Sequence, residues 1–71
     1  MRPRILPLLL KRLRRLREEA GLTQEQFAER AGMSYKYYQQ IEAGRKADLR
    51  LSTLERLAKA HRIKLARLLE E

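Results

Sequence analysis

Side chains that can recognise another molecule by hydrogen bonding are concentrated in the stretch "SYKYYQQ", from Ser34 to Gln40. In a helix, Lys36 and Gln40 lie one turn apart on the same face. A lysine can donate to guanine O6 and N7, and a glutamine can pair with adenine N6 and N7. The neighbouring Tyr35 can rest its ring against a thymine methyl group or donate to a phosphate. If this helix lies in a groove of DNA, these side chains can contact the edges of both G·C and A·T base pairs.

Residues for catalysis or metal binding show no comparable pattern. The chain has no cysteine and a single histidine, His61, without clustered carboxylates around it. We therefore expect His61 to lie at a half-exposed helix end rather than to bind a metal or act as a base. The sequence contains no glycine-rich phosphate loop, nucleophile elbow or carboxylate dyad. These absences favour a protein that is not an enzyme and that has no cofactor and no metal.

The charge of the chain favours a polyanionic partner. Its formal net charge is +8 and its pI is about 10.6, which predicts attraction to nucleic acid or to an acidic membrane surface. Cations from Arg2 to Arg17 precede the first acidic residue, Glu18, so residues 1–6 are predicted to form a basic arm. The longest apolar run, Leu8 to Leu10, is too short for a membrane span or a signal peptide. The lack of cysteine fits a reducing, intracellular setting.

Three short helices are predicted to position the polar stretch. The first runs from about 7 to 20, with Pro7 at its first position, and its inward stripe is formed by Leu9, Leu13, Leu16 and Ala20. The second runs from about Gln24 to Ala31 behind a capping box of Thr23 and Gln26. The third, 35–43, follows the N-cap Ser34 and stops at Gly44, with Tyr38 and Ile41 facing the core.

Two further helices complete a predicted all-α bundle of five short helices. Ser52 and Glu55 have the form of a second capping box at the head of helix four, whose inner face is predicted to contain Leu54, Leu57 and Ala58. A last short helix carries Leu65, Leu68 and Leu69. With only 71 residues, the chain is expected to form a single domain over 1–71 with a small core.

The stretch from Gln24 to Ala43 resembles the helix-turn-helix of the lambda-repressor and Cro-like family, also called the XRE family. That motif has a small residue fifth and a glycine ninth, which are Ala28 and Gly32 here. Its apolar positions are matched by Phe27, Ala31, Met33, Tyr38 and Ile41. Ala28 leaves room for the steeply crossing third helix, and Gly32 makes the turn. The segments "LRRLREEAGLTQEQFAERAGMS", "IEAGR" and "STLERLAKAHRIKLARLL" extend the likeness to roughly residues 9 to 69.

Three positions depart from the usual pattern of the family. Tyr38 is larger than the usual aliphatic residue, Arg62 stands where the last turn often has glycine, and Lys64 replaces the usual serine or threonine N-cap. These departures bear on the geometry of the last turn and not on the resemblance to the family.

The resemblance implies a role for several side chains. Tyr35, Lys36 and Gln40 fall on base-reading positions, with Ser34 near a base or a phosphate. Gln24 falls on a phosphate-contacting position. Arg17 is similar to the family arginine that pairs with the glutamate of "IEAG", here Glu42, as a structural ion pair.

The exposed cations after helix three are also expected to contact phosphates, for a physical reason that does not depend on the resemblance. Arg45 and Lys46 follow the helix directly, and phosphates accept charge-assisted hydrogen bonds from such cations without exact placement. Two interpretations of Tyr37 remain open, since it can pack against helix one or donate its hydroxyl to a phosphate. The ring suits the first interpretation and the hydroxyl suits the second.

These features favour a sequence-specific transcriptional regulator that binds double-stranded DNA as a homodimer on a partly palindromic operator. Such a protein acts as a repressor or activator in the cytoplasm, on the nucleoid when bound. Its dimer surface is expected to combine the loop 47–51 with the last helix, where Leu49 and Leu69 look surplus to the core. A toxin or polymerase partner cannot be identified from the sequence.

Two alternatives come from other classes of protein. A coactivator-like interaction module could keep the same fold without reading bases. A membrane-surface binder is suggested by the basic amphipathic segment "LLLKRLRRLR", although the capped helices that follow need helix one to complete their core. We therefore expect DNA, and no membrane, as the partner.

Overall fold

The architecture was obtained as a computed structural model, which describes residues 5–46 and 48–70. Within these residues the chain forms five helices and no strand. They are α1 (Ile5–Glu19), α2 (Gln24–Ala31), α3 (Tyr35–Glu42), α4 (Leu51–Ala60) and α5 (Leu65–Leu68). The predicted all-α bundle of five helices is confirmed.

Helix α1 begins two residues earlier than predicted, at Ile5. Pro7 lies in its first turn, where backbone N–H groups have no intrahelical acceptor and the missing donor costs nothing. Residues 5 and 6 of the predicted basic arm therefore belong to the helix, and residues 1–4 lie outside the described residues. At the other end, the helix stops at Glu19, so Ala20 is exposed rather than part of the inward stripe.

Local signals set the bounds of α2 and the start of α3. The capping box is present, because Gln26 N donates to Thr23 Oγ1 at 3.1 Å and Thr23 N donates to Gln26 Oε1 at 2.9 Å. Gly32 has φ 72°, a left-handed conformation that ends α2. Ser34 Oγ accepts from Tyr37 N at 3.1 Å and caps α3, which ends at Glu42, one residue before its predicted end.

The predicted capping box at the head of α4 is wrong. The helix starts at Leu51, so Ser52 lies inside it, and the N-cap is Arg50, which makes no capping hydrogen bond with its side chain. Packing of Leu57 and Ala58, both buried, sets the position of this helix, and a serine one turn from a glutamate does not define a boundary by itself.

The turn between α4 and α5 keeps its geometry despite its unusual residues. Arg62 has φ 59°, the left-handed conformation that the commonly found glycine adopts without strain. Lys64 is the N-cap of α5 but makes no capping hydrogen bond with its side chain. Helix α5 ends at Leu68, which is buried, and leaves Leu69 at its C-cap.

The core lies where all five helices meet. Helix α2 packs on α3 and α4, α1 packs on α3 and α5, and α4 packs on α5. Its buried apolar side chains are Leu9, Leu13, Phe27, Ala28, Ala31, Tyr38, Ile41, Leu57, Ala58 and Leu68. The predicted core-facing residues of α3, Tyr38 and Ile41, are confirmed, and the apolar motif residues Phe27 and Ala31 of α2 are buried with them.

The residues expected to be surplus to the core are not free. Leu49 and Leu69 are half-buried and pack against the core cluster, because the chain from α3 to α4 and the end of α5 close over it. Leu51 is the most exposed large apolar residue of this region, with 61% of its surface accessible. Ala47, at the start of the predicted dimer loop, lies outside the described residues.

The single histidine lies at a helix end, as predicted, where it is the C-cap of α4 and packs against a core side chain. His61 is half-buried, and its ring stacks on Phe27 with 4.3 Å between ring centroids and 16° between planes. Its Nε2 is buried without a hydrogen-bond partner among the described residues. Burial, and secondarily the charge of Arg30, lowers the pKa of His61 below its usual 6.5.

This histidine should make the fold sensitive to mild acid. A base whose pKa is lowered by folding binds protons more readily in the unfolded chain, so the free energy of unfolding falls as the pH drops below about 6.5. We expect His61→Phe to keep the stack on Phe27 and to remove the dependence between about pH 7 and 5. Denaturant unfolding at a series of pH values measures this effect. Equal slopes in both proteins across that range would contradict it.

Candidate nucleic-acid interface

An open groove of about 400 Å³ lies where α1, α2 and the loop after α3 approach the outward face of α3. Its lining consists of Arg14, Gln24, Lys36, Gln39, Gln40, Glu42, Ala43 and Arg45. Four residues predicted to contact nucleic acid thus meet in one place, namely Gln24, Lys36, Gln40 and Arg45. Ser34, Tyr35, Tyr37 and Lys46 do not line this groove.

Helix α3 presents two different faces. Tyr38 and Ile41 have no accessible surface, whereas Tyr35 and Lys36 are exposed and Gln40 is half-buried. The core contacts of α3 therefore leave the polar side chains on the open side of the molecule. Because 3.6 residues make one turn, the periodicity that buries Tyr38 and Ile41 also turns Lys36 and Gln40 away from the core.

The position of α3 is held by a buried ion pair. Arg17 Nε lies 2.7 Å from Glu42 Oε2, and Arg17 Nη2 lies 3.2 Å from Glu42 Oε1. The Arg17 guanidinium also donates to the Leu22 carbonyl at 2.9 Å. The Glu42 side chain is 1% exposed and that of Arg17 is 13% exposed. The pair joins α1 to the C-terminal end of α3, as the resemblance implied.

Two further donors complete the environment of Glu42. Gln24 Nε2 donates to Glu42 Oε1 at 2.9 Å, and the Tyr38 hydroxyl donates to Glu42 Oε2. Burial raises the pKa of Glu42, but the hydrogen bonds from Arg17, Tyr38 and Gln24 outweigh it, and the pKa lies below its usual value. Tyr38 can therefore replace a smaller aliphatic residue, because its hydroxyl has a buried partner.

Contact with Glu42 also raises the pKa values of Tyr38 and Arg17. Burial, together with the hydrogen bond to Glu42, raises the pKa of the Tyr38 hydroxyl far above its usual value. The hydrogen bond to Glu42 raises the pKa of Arg17 as well. The hydroxyl stays protonated and the carboxylate stays ionised at neutral pH, so the network holds its charges.

A family model described as helix-turn-helix matches residues 13–68. The chain belongs to the helix-turn-helix family, in its XRE or Cro/C1 type. The match includes α2 to α5 and the C-terminal part of α1. Neither a curated protein nor a solved structure gives a significant match. Membership supports a DNA-binding regulator and fits a family that is typically non-enzymatic.

In the helix-turn-helix, α3 carries one polar residue that the sequence had not singled out. Gln39 Nε2 donates to Tyr35 Oη at 3.2 Å, one turn away on the exposed side of the helix. This bond occupies one amide hydrogen and leaves the tyrosine hydroxyl hydrogen free to donate outward. The spacing of four residues between Tyr35 and Gln39 was the available signal.

Of the two interpretations of Tyr37, the structure supports packing against the rest of the fold. Its ring is half-buried against the core cluster, and Lys46 Nζ lies 5.6 Å from the ring centroid, within the range of a cation–π contact. The ring therefore helps to hold Lys46 beside the end of α3. Contact of either side chain with a phosphate stays a prediction.

Arg14 is a second residue that the sequence analysis did not select. It projects from α1 into the groove, its side chain is 58% exposed, and its Nε lies 3.8 Å from Glu42 Oε1. The spacing of three residues from Arg17 placed it on a neighbouring part of the same helix surface. The resemblance indicated that α3 would meet this surface through Arg17, but not that a groove would open beside Arg14.

The described residues contain neither a metal-binding cluster nor a membrane-spanning helix. Across 5–46 and 48–70, no group of three or more His, Asp or Glu side chains is placed to hold a metal ion. No helix in this part of the chain has the length and apolar character needed to cross a membrane.

Proposed function

We propose that this helix-turn-helix protein is a transcriptional regulator that recognises a specific double-stranded DNA sequence with α3 in the major groove. The observation that supports this most directly is the construction of α3. Its C-terminal end is fixed by Glu42 from the inside, while Tyr35, Lys36 and Gln40 are left on the open side. A helix held in this way presents hydrogen-bonding side chains in a fixed orientation, as base readout requires.

The proposed contacts divide into two groups. Lys36, Gln40 and Tyr35 read base edges, with Ser34 at the edge of the groove. Gln24, Arg45, Lys46 and Tyr37 contact phosphates and set the register of the protein on the duplex. Gln24 and Arg45 line the same groove as the two central readers, which supports a path for the DNA backbone beside α3.

We further propose that two copies bind together. Helix α3 has 8 residues, and a helix this short reads too few base pairs for useful specificity, so a dimer with recognition helices about 34 Å apart suits the task. The dimer surface combines residues near Leu51 with α5, and the exposure of Leu51 supports this choice. Such a dimer is cytoplasmic. It blocks or recruits polymerase according to where it sits on the DNA.

Selection of binding sequences from randomised duplex DNA tests this function. We expect a mixed-sequence motif with two inverted half-sites, because a symmetric dimer reads a partly palindromic operator. Sedimentation on the selected duplex then counts the bound chains. Enrichment without any motif would contradict base reading and favour an interaction module, and a motif without symmetry would contradict the dimer.

A salt titration on the selected duplex separates nucleic-acid binding from other kinds of affinity. Each phosphate that the protein neutralises contributes about 0.9 to the slope of log affinity against log salt concentration. We expect a steep negative slope from the basic residues around the groove. A slope near zero would contradict the DNA-binding function altogether.

A further inference from the structure

The groove beside α3 has an anion at its floor. Glu42 lines it, and Gln24 Nε2 donates one hydrogen to Glu42 Oε1 at 2.9 Å. An amide nitrogen carries two hydrogens, so the second remains for a phosphate on the open side. A phosphate bound at Gln24 therefore lies close to the carboxylate of Glu42. Two neighbouring anions repel each other unless a cation lies between or beside them.

Arg17 offsets the charge of Glu42 but is badly placed to bind an incoming phosphate itself. Its three donor nitrogens are directed to Glu42 Oε2, Glu42 Oε1 and the Leu22 carbonyl. Its side chain is 13% exposed, and swinging outward would break the ion pair that fixes α3. Arg17 neutralises Glu42 inside the fold and stays there.

Arg14 is differently bound on the same helix. Its side chain is 58% exposed, and its contact with Glu42 Oε1, at 3.8 Å, is longer than a hydrogen bond. Among the described residues this is its one ion-pair contact. Its guanidinium therefore keeps its fork of donors for another oxygen anion, and a planar fork matches two phosphate oxygens at once.

A second cation lines the same groove. Arg45 lines the groove from the loop after α3 and is exposed. Arg14, Gln24 and Arg45 come from α1, the start of α2 and that loop, so three elements contribute hydrogen-bond donors to the lining of one groove. No neighbouring acidic side chain other than the neutralised Glu42 lines this groove within the described residues.

We propose that Arg14 completes a binding site for one DNA backbone phosphodiester, together with Gln24 and Arg45. The site rests on the proposed DNA-binding function and adds to it a positioning residue from outside the helix-turn-helix segment. Arg14 donates to the phosphate that Gln24 holds. The first helix thereby sets the register of the protein on the duplex as well as supporting the fold.

The test compares Arg14→Gln with Arg15→Gln in the full chain, on the duplex selected by the wild type. Arg15 is the matched control: it is the next residue, its side chain is 78% exposed, and it too has one loose ion pair, with Glu19 at 3.8 Å. Both variants lose one positive charge. We expect Arg14→Gln to reduce the magnitude of the salt slope by about 0.9 and to lower affinity about tenfold for every sequence. Arg15→Gln should keep a slope close to that of the wild type.

A conservative variant guards against an indirect effect on the fold. Arg14→Lys keeps the charge and should retain the wild-type slope, with part of the affinity lost because the fork is gone. Thermal unfolding of each variant measures the stability separately. Equal slope changes in Arg14→Gln and Arg15→Gln, or an unchanged slope in Arg14→Gln, would overturn the site while leaving DNA binding intact. A wild type that binds no duplex at any salt concentration would overturn the function and the site together.

Discussion

Glu42→Gln is expected to lower the free energy of unfolding by about 3 to 5 kcal/mol, because it leaves the Arg17 cation buried without its anion. Both oxygens of Glu42 are engaged, by Arg17, Gln24 and Tyr38. A 71-residue chain has a total stability of roughly 4 to 10 kcal/mol. The substitution therefore removes a large part of what holds the fold. Denaturant titration followed by circular dichroism measures the loss.

An exposed ion pair on α1, the helix that carries Arg17, provides the control. The side chains of Arg15 and Glu19 are 78% and 66% exposed, and a pair in such surroundings contributes about 1 kcal/mol or less. Glu19→Gln should therefore have little effect. Similar losses for Glu19→Gln and Glu42→Gln would show that the buried pair is no stronger than a surface one.

The same carboxylate makes stability depend on strongly acidic pH. The pKa of Glu42 is lowered by folding from its usual 4.5, so its stabilisation is complete above that value and is lost as the pH falls through the folded pKa. This loss begins at a lower pH than the loss caused by His61, which begins near pH 6.5. In Glu42→Gln the loss below about pH 4.5 should be smaller than in the wild type.

The second large effect is expected on DNA recognition. Lys36→Ala or Gln40→Ala should each cost about 1 to 3 kcal/mol of binding on the selected duplex and relax base preference at one or two positions. Arg45→Ala should instead weaken all sequences nearly equally, since a phosphate contact carries no base information. Gln24→Ala should do the same, but it also removes a hydrogen bond to Glu42, so Arg45 is the cleaner comparison.

A base-by-base competition profile for each variant distinguishes readers from positioners. The profile of Lys36→Ala should flatten at the positions that this lysine reads, and that of Arg45→Ala should keep the shape of the wild type. If both variants lowered affinity alike and left the profiles unchanged, the division would be wrong. Tyr35, with Gln39 bonded to it, would then be the next candidate for specificity.

The parts of the fold that sequence reasoning predicted are those governed by local chemistry. The capping box of Thr23, the left-handed Gly32 and the N-cap Ser34 act within one turn of chain, and the structure has all three. The start of α4 was missed because Ser52 and Glu55 offered a local signal that packing overrode. The early start of α1 was missed because a proline is tolerated anywhere in the first turn.

The candidate site was predictable to a smaller degree. Helical periodicity showed which side of α3 faces outward, and the resemblance supplied the pairing of Arg17 with Glu42. Periodicity does not show which other helix a side chain meets. The contacts of Gln24 and Arg14 with Glu42 join residues 18 and 28 positions apart along the chain, so they depend on the crossing of three helices and could be found only in three dimensions.

The inward attachment of α3 has a consequence for altering this protein. The hydrogen bonds that hold the helix to α1 and α2 end at Glu42, whereas Lys36 makes no hydrogen bond or ion pair with other described residues. The outward positions can therefore be exchanged with little loss of folding free energy. A library randomised at 35, 36, 39 and 40 should consist mostly of folded members, which makes α3 a replaceable cassette for reprogramming the target sequence.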